Sequence, residues 1–105
     1  MTSSTGLSDA SLSLIRTVLE RHPGVSGAIL FGSRAKGTAS PASDVDLVLQ
    51  GIADPLEAER VRSELEELPL PFRFDVKALT TIQNPELLDH IARVGIRIHG
   101  IGAEP

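Results

Sequence analysis

Two short apolar runs, residues 25–31 and 45–49, constrain the fold of this chain more than any other feature. Each run is short, nearly continuous and contains β-branched residues, which favours a buried strand over a helix. Gly32 ends the first run and predicts a turn directly after the strand. Because buried strands must be covered on their faces, the rest of the chain has to supply helices that pack against a sheet.

Three stretches with helical apolar spacing can cover such a sheet. The first begins after the candidate N-cap Ser8 and ends at Pro23-Gly24. The second begins at Asp54-Pro55 and the third at Asn84-Pro85, each with the capping residue and the proline that are typical of a helix start. The predicted apolar stripes are Leu7, Ala10, Leu14, Ile15, Val18 and Leu19 in the first helix, Leu56, Val61, Leu65 and Leu68 in the second, and Leu87, Leu88, Ile91 and Val94 in the third.

The remaining segments complete a small sheet. Phe72, Phe74 and Val76 alternate with polar residues, which is the period of a half-buried strand. Residues 34–43 are small and polar and predict a short helix or a loop, and residues 96–99 are compatible either with a short last strand or with a segment that only packs on the rest. The predicted order is α-β-(α)-β-α-β-α, so the fold class is α/β (α+β mixed), with one small mixed sheet covered by helices.

Length and composition limit the class of protein. With 105 residues, 41% apolar and 23% charged, the chain is typical of one globular domain, and we predict a single domain over residues 1–105 with residues 1–6 frayed. The absence of a signal-peptide pattern and of an apolar run of roughly 20 residues predicts a cytoplasmic protein with no membrane partner. Because the chain has no cysteine, any metal must be held by oxygen or imidazole.

The charge of the chain limits its ligands. A net charge of −4 argues against a protein whose main ligand is a nucleic-acid backbone, but it is compatible with a nucleotide bound through metal ions. His22, His90 and His99 have no mutual spacing suited to a metal site and are expected at the surface or at helix ends.

Asp44 and Asp46 are the first candidate metal ligands. On a strand, residues two apart leave the same face with Cα atoms roughly 6.5 Å apart. Both carboxylates then reach metal ions held about 3.5–4 Å apart, as in two-metal nucleotidyl transfer. Burial of a carboxylate beside the apolar residues 47–49 also calls for a cation. The pair alone is a weak signal, and a capping or solvated role is its alternative.

Residues that could bind phosphate precede this pair. Gly32 permits the turn and the close approach of backbone N–H groups that a triphosphate requires, and Ser33 adds a hydroxyl donor. Arg34 and Lys36 are expected to add positive charge near the phosphates, and Ser43, next to Asp44, is included among the nucleotide-binding residues.

The pattern G-S-x10-D-x-D, with a third aspartate on a later strand, resembles the signature of the minimal nucleotidyltransferases, a family of the DNA polymerase β-like superfamily that includes MntA-like antitoxins. The resemblance covers residues 25–100 and places Asp75 as the third aspartate. Relatives often carry a Ser-Asp-Ser-Asp lead-in, whereas this chain has Ser40-Pro41-Ala42-Ser43. The alternative for Asp75 is a solvated position ion-paired with Arg73 or Lys77.

The resemblance implies an activity and a set of partners. Asp44, Asp46 and Asp75 would be catalytic and would hold two Mg²⁺ ions, or Mn²⁺, while the glycine-serine pair would hold ATP or another nucleoside triphosphate. Minimal members act with a separate helical HEPN-type protein, as antitoxins that adenylylate the toxin. A homo-oligomer is also compatible with the sequence.

Two other functions remain open at this point. A catalytically silent binding module would keep the fold and neutralise a toxin by contact alone, and the complete aspartate set argues against it. A stand-alone nucleotidyltransferase acting on a small molecule would need an acceptor-binding domain of the kind that larger relatives carry.

Overall fold

A computed structural model describes residues 5–40 and 43–100 of the chain. The elements are α1 (Asp9–Glu20), β1 (Gly27–Phe31), α2 (Gly32–Lys36), β2 (Val45–Gln50), α3 (Pro55–Glu66), β3 (Phe74–Ala78), a 3-10 turn (Leu79–Thr81), α4 (Pro85–Val94) and β4 (Ile96–Gly100). This order confirms the predicted mixed α/β fold class, and the last segment is a strand paired in the sheet.

The four strands of the described residues form one mixed sheet in the order β3-β2-β1-β4. β1 is antiparallel to both of its neighbours, whereas β2 and β3 are parallel. Parallel pairing places the first residues of β2 and β3 side by side, and antiparallel pairing brings the end of β1 to the same place. The sheet topology therefore gathers the predicted site residues at one edge.

Side-chain caps fix the starts of the three long helices. The Ser8 hydroxyl accepts from the Ser11 N–H at 3.1 Å, Asp54 accepts from Leu56 N–H at 2.9 Å, and Asn84 accepts from Glu86 N–H at 2.9 Å. Each cap satisfies a backbone donor that has no partner within the helix. All three predicted helix starts are confirmed.

The two faces of the sheet are covered by different helices. One face packs against α1 and α3 and carries the larger core, which includes Leu30, Leu47, Leu49, Phe74 and Val76. On the other face, α4 contributes Ile91 to a smaller cluster with Phe31 and Val48. Alternation along β2 and β3 places Asp46 and Asp75 on this second face, beside the smaller cluster.

The predicted stripe of α3 is wrong at its first residue. Leu56 is 64% exposed, whereas Ala58, Val61 and Leu65 are buried. Leu56 lies five residues before Val61, which at about 100° per residue turns its side chain roughly 140° away from the buried face. In α4, Leu88 is likewise exposed, next to the half-buried Leu87.

The predicted fraying of the first residues is wrong for Thr5. This residue is buried, its hydroxyl accepts from the Leu7 N–H at 3.2 Å, and its carbonyl accepts from Arg34 at 2.9 Å. Residues 1–4 lie outside the described residues. Within the described part of the chain, we find no helix long and apolar enough to span a bilayer.

Candidate nucleotide and metal site

The turn after β1 is built on Gly32. Its φ of +75° lies in the left-handed region, which glycine adopts without steric cost. A Cβ at this position would overlap the carboxylate of Asp46. The backbone of Gly32 therefore lies directly against Asp46, a closeness that only glycine permits.

Asp46 and Asp75 are register partners on the parallel strands β2 and β3, and Phe31 is the partner of Asp46 on β1. Neighbouring strands lie about 4.8 Å apart, and register partners share a face of the sheet, so the two carboxylates lie side by side. Asp44 lies immediately before β2 and is exposed. Strand β2 therefore begins at Val45, so that Asp44 precedes the strand and Asp46 is its second residue. The three predicted ligands lie at one edge of the sheet.

The surroundings of Asp46 make its charge unfavourable. Burial raises the pKa of Asp46 above its ordinary value, and the negative charges of Asp75 and Asp44 raise it further. The positive charge of Lys77 acts in the opposite direction. Three carboxylates that repel one another at a partly buried site would be stabilised by a bound cation.

Lys77 supplies one cation at this edge. Its ammonium group donates to both carboxylate oxygens of Asp75, at 2.9 and 3.0 Å, and both side chains are about half-exposed. This is the ion pair anticipated as the alternative for Asp75. The same carboxylate also lies beside Asp46, so the ion pair and the proposed ligand role involve one side chain.

The carboxylates form a donor set of the type that Mg²⁺ prefers, since they offer hard oxygen atoms at one edge of the sheet. In residues 5–40 and 43–100, however, no three His, Cys, Asp or Glu side chains are already gathered around a common point that could hold an ion. Asp75 is engaged by Lys77 instead. The residues fit Mg²⁺ by their chemistry, and an ion bound by Asp75 would compete with Lys77 for that carboxylate.

Arg34, predicted to add positive charge near the phosphates, is a buried residue. It is 1% exposed, and its guanidinium donates to the carbonyls of Thr5 and Ser43, at 2.9 and 2.8 Å. The group also stacks over the Phe72 ring at 4.6 Å, and burial lowers the pKa of Arg34, against the effect of the nearby Asp44 and Asp46. Arg34 therefore joins the N-terminal segment to the loop before β2 and does not present its charge at the surface.

The other predicted phosphate-binding residues flank the turn. Ser33 is half-buried in the first turn of α2, and Lys36 is exposed at the end of that helix. The Ser43 hydroxyl accepts from the Ser40 N–H at 2.9 Å, which closes the loop that leads to Asp44. Pro41 and Ala42, which distinguish this loop from its relatives, lie outside the described residues.

His90 is the site residue that the sequence prediction missed. Its Nε2 accepts a hydrogen bond from the Gly32 N–H at 3.0 Å, and its ring packs edge-on against Phe31. A signal was present in the sequence, because His90 lies three residues after Leu87 and one before Ile91, within the apolar stripe of α4. A surface position was therefore the wrong expectation for this histidine.

One family model matches most of this chain. The family model described as "Polymerase beta, Nucleotidyltransferase" matches residues 14–101 of the chain. A search of curated proteins gave no significant match.

Solved structures show the same fold. The chain is similar to a toxin-antitoxin crystallised with AMP-PNP, with 21% identity, a TM-score of 0.72, and coverage of 87% of this chain and 74% of that chain. It is similar to an MntA-HepT toxin-antitoxin, with 18% identity, a TM-score of 0.66, and coverage of 89% and 73%. It is also similar to a complex of a tri-AMPylated Shewanella oneidensis HEPN toxin with an MNT antitoxin, with 17% identity, a TM-score of 0.65, and coverage of 87% and 71%.

Proposed function

The chain belongs to the polymerase β nucleotidyltransferase family, and on that premise we propose that it transfers AMP from ATP to a hydroxyl of a HEPN-type toxin, as the antitoxin of a toxin-antitoxin pair. The observation that carries the proposal is the register of Asp46 with Asp75, directly beside the Gly32 turn. This arrangement places carboxylates next to a backbone turn open to close approach, which suits a metal-bound triphosphate.

Each residue then has a defined task. Gly32 and Ser33 would bind the triphosphate through the turn at the start of α2, while Asp44 and Asp46 would hold the ions that accompany it. Asp75 would complete the metal site that faces the acceptor hydroxyl. Bound Mg²⁺ would neutralise negative charge on the reacting phosphate and on pyrophosphate as it leaves.

The choice of acceptor is supported by the proteins that share the fold. A solved structure of this fold contains a tri-AMPylated HEPN toxin with an MNT antitoxin, and another contains AMP-PNP. A helical protein partner would supply the acceptor hydroxyl from outside this chain. ATP is accordingly the proposed donor, and a tyrosine, serine or threonine hydroxyl of the partner is the proposed acceptor class.

The test is transfer of label from [α-³²P]ATP to the product of the adjacent reading frame, in Mg²⁺, Mn²⁺ or EDTA. The matched variants are Asp46→Asn, in the site, and Asp89→Asn, exposed on α4. We expect metal-dependent labelling of the partner by the parent and by Asp89→Asn, and none by Asp46→Asn.

Two results would contradict the proposal. Neutralisation of the toxin without labelling, unchanged in Asp46→Asn, would identify a binding module. Labelling of small hydroxyl compounds but not of the partner would identify a different acceptor class.

A further inference from the structure

The hydrogen bond between Gly32 and His90 connects two parts of the chain that are distant in sequence. The Gly32 N–H is a backbone donor at the first residue of α2, and the residue before it, Phe31, provides no side-chain cap. Such a donor has no partner within its own helix. His90 Nε2, 58 residues later in the chain, accepts it at 3.0 Å.

The histidine ring is held in place by its own helix. Ile91, the next residue of α4, is buried against Phe31 and Val48, and the ring of His90 meets Phe31 edge-on with centroids 6.3 Å apart. Because Nε2 accepts this hydrogen bond through its lone pair, Nε2 carries no proton and the ring proton lies on Nδ1. The hydrogen bond therefore selects Nε2 as the acceptor and one tautomer of the ring, and it holds the ring in one position.

Movement of Gly32 would disturb both halves of the candidate site. Its backbone lies against the Asp46 carboxylate on one side, and Ser33, the predicted phosphate donor, follows it directly. Gly32 has a φ of +75°. Because glycine has no Cβ, its backbone is freer than that of any other residue, and an external contact is needed to hold the turn in one conformation. His90 provides that restraint from α4.

We propose that His90 is a positioning residue of the nucleotide site, which holds the Gly32 turn in the conformation that binds the triphosphate. The inference rests on the proposed function. His90 does not touch the reacting atoms. It acts through Gly32, and its loss makes the turn adopt other conformations that bind ATP less well.

The experiment uses two substitutions that separate the roles of the ring. His90→Phe keeps the edge-on contact with Phe31 but has no acceptor, and His90→Gln keeps an acceptor without the aromatic ring. His99→Gln, on β4, is the control for loss of a histidine elsewhere in the sheet. The measurements are hydrogen exchange of the Gly32 amide in the nucleotide-free protein, ATP affinity by calorimetry with Mg²⁺, and melting temperature.

We expect His90→Phe to lose protection of the Gly32 amide and to bind ATP about five- to tenfold more weakly, as the loss of one neutral hydrogen bond implies. His90→Gln should retain protection and bind within about threefold of the parent, and His99→Gln should behave like the parent. In the transfer assay, His90→Phe should raise KM more than it lowers kcat. The defect lies in ATP binding, and saturating ATP restores the bound conformation of the turn.

Other outcomes overturn the inference. ATP binding by His90→Phe that equals or exceeds the parent's, with protection lost, would show that the bond stabilises only the fold or competes with the nucleotide. Equal weakening in His90→Gln and His90→Phe would assign the effect to the ring and not to the acceptor. If the parent itself does not bind ATP, the proposed function fails together with the inference, and this result is distinct from failure of the His90 variants alone.

Discussion

Lys77 donates hydrogen bonds to both oxygens of Asp75 from two residues further along the same strand, and Asp75 is the register partner of Asp46. Lys77 is thus ion-paired with Asp75, the carboxylate that the proposed mechanism assigns to a metal ion. The arrangement balances charge at a cluster of three aspartates, and it also means that an ion must compete with Lys77 for Asp75.

Replacement of Lys77 by methionine should therefore have opposite effects on metal binding and on stability. Without a competing ammonium, Mn²⁺ affinity of the nucleotide-free protein should increase, as measured by electron paramagnetic resonance. The metal-free protein should lose at most about 1 kcal/mol of unfolding free energy, because the pair is half-exposed. Arg93→Met, which breaks the exposed pair with Asp89, is the matched control and should leave Mn²⁺ affinity unchanged.

Asp75→Asn should separate binding from chemistry. If Asp75 serves the acceptor side of the site, ATP affinity should stay close to that of the parent, since Asp44 and Asp46 remain. Single-turnover transfer should fall by about 100-fold or more, which corresponds to roughly 2.7 kcal/mol of transition-state stabilisation. Transfer close to the parental rate would leave Asp75 as an ion-pair partner of Lys77 and nothing more.

Asp46→Asn should stabilise the metal-free protein at neutral pH. The pKa of Asp46 is raised in the folded state, so its ionisation is less favourable there than in the unfolded chain, and stability present at low pH is lost as the pH rises through the folded-state pKa. The asparagine variant avoids that loss. Its advantage in urea denaturation should shrink as the pH falls and vanish below 3.8, the ordinary value.

Added Mg²⁺ and ATP should reverse the order of stability. The parent should gain melting temperature from the ligands, whereas Asp46→Asn should gain little. A variant that is less stable than the parent at neutral pH without metal would assign Asp46 a structural role.

Gly32→Ala tests the close contact between the turn and Asp46. An alanine would be strained at a φ of +75°, and its Cβ would overlap the carboxylate of Asp46. We expect the free energy of unfolding to fall by at least about 1 kcal/mol and the ATP affinity of the folded protein to fall as well. Gly37→Ala is the matched control, because Gly37 has a φ of +77° at the other end of α2. It should lose stability but keep the ATP affinity of the folded protein.

Arg34→Met tests the internal role of the guanidinium. The substitution removes the donors to the carbonyls of Thr5 and Ser43, and we expect a loss of roughly 2–3 kcal/mol in chemical denaturation. Arg34→Lys should not restore stability, because an ammonium cannot stack on Phe72 and bridge both carbonyls as the planar group does. Parental stability combined with weak ATP binding would instead favour the direct phosphate contact that the sequence suggested.

Local pattern was sufficient for the three long helices and for strands β1 to β3, but it left α2 and β4 undecided. Helix starts depend on a capping side chain and a proline within a few residues, and buried strands depend on short apolar runs, so Ser8, Asp54 and Asn84 could be assigned without tertiary information. The Gly32 turn was predictable for the same reason, since the glycine follows a strand directly. The family resemblance, carried by the spacing of Gly32-Ser33 and the aspartates, is confirmed by the match over residues 14–101.

Tertiary structure decided which partner each polar side chain finds. Parallel pairing of β2 with β3 places Asp75 beside Asp46, and the same strand offers Asp75 the ammonium of Lys77. Arg34 turns inward because the N-terminal segment and the loop before β2 present carbonyls to it, and His90 reaches Gly32 because α4 packs on that face of the sheet. Sequence alone determined the residue types available at the site, whereas their contacts required the fold, because hydrogen bonds and ion pairs form between groups that only long-range packing brings together.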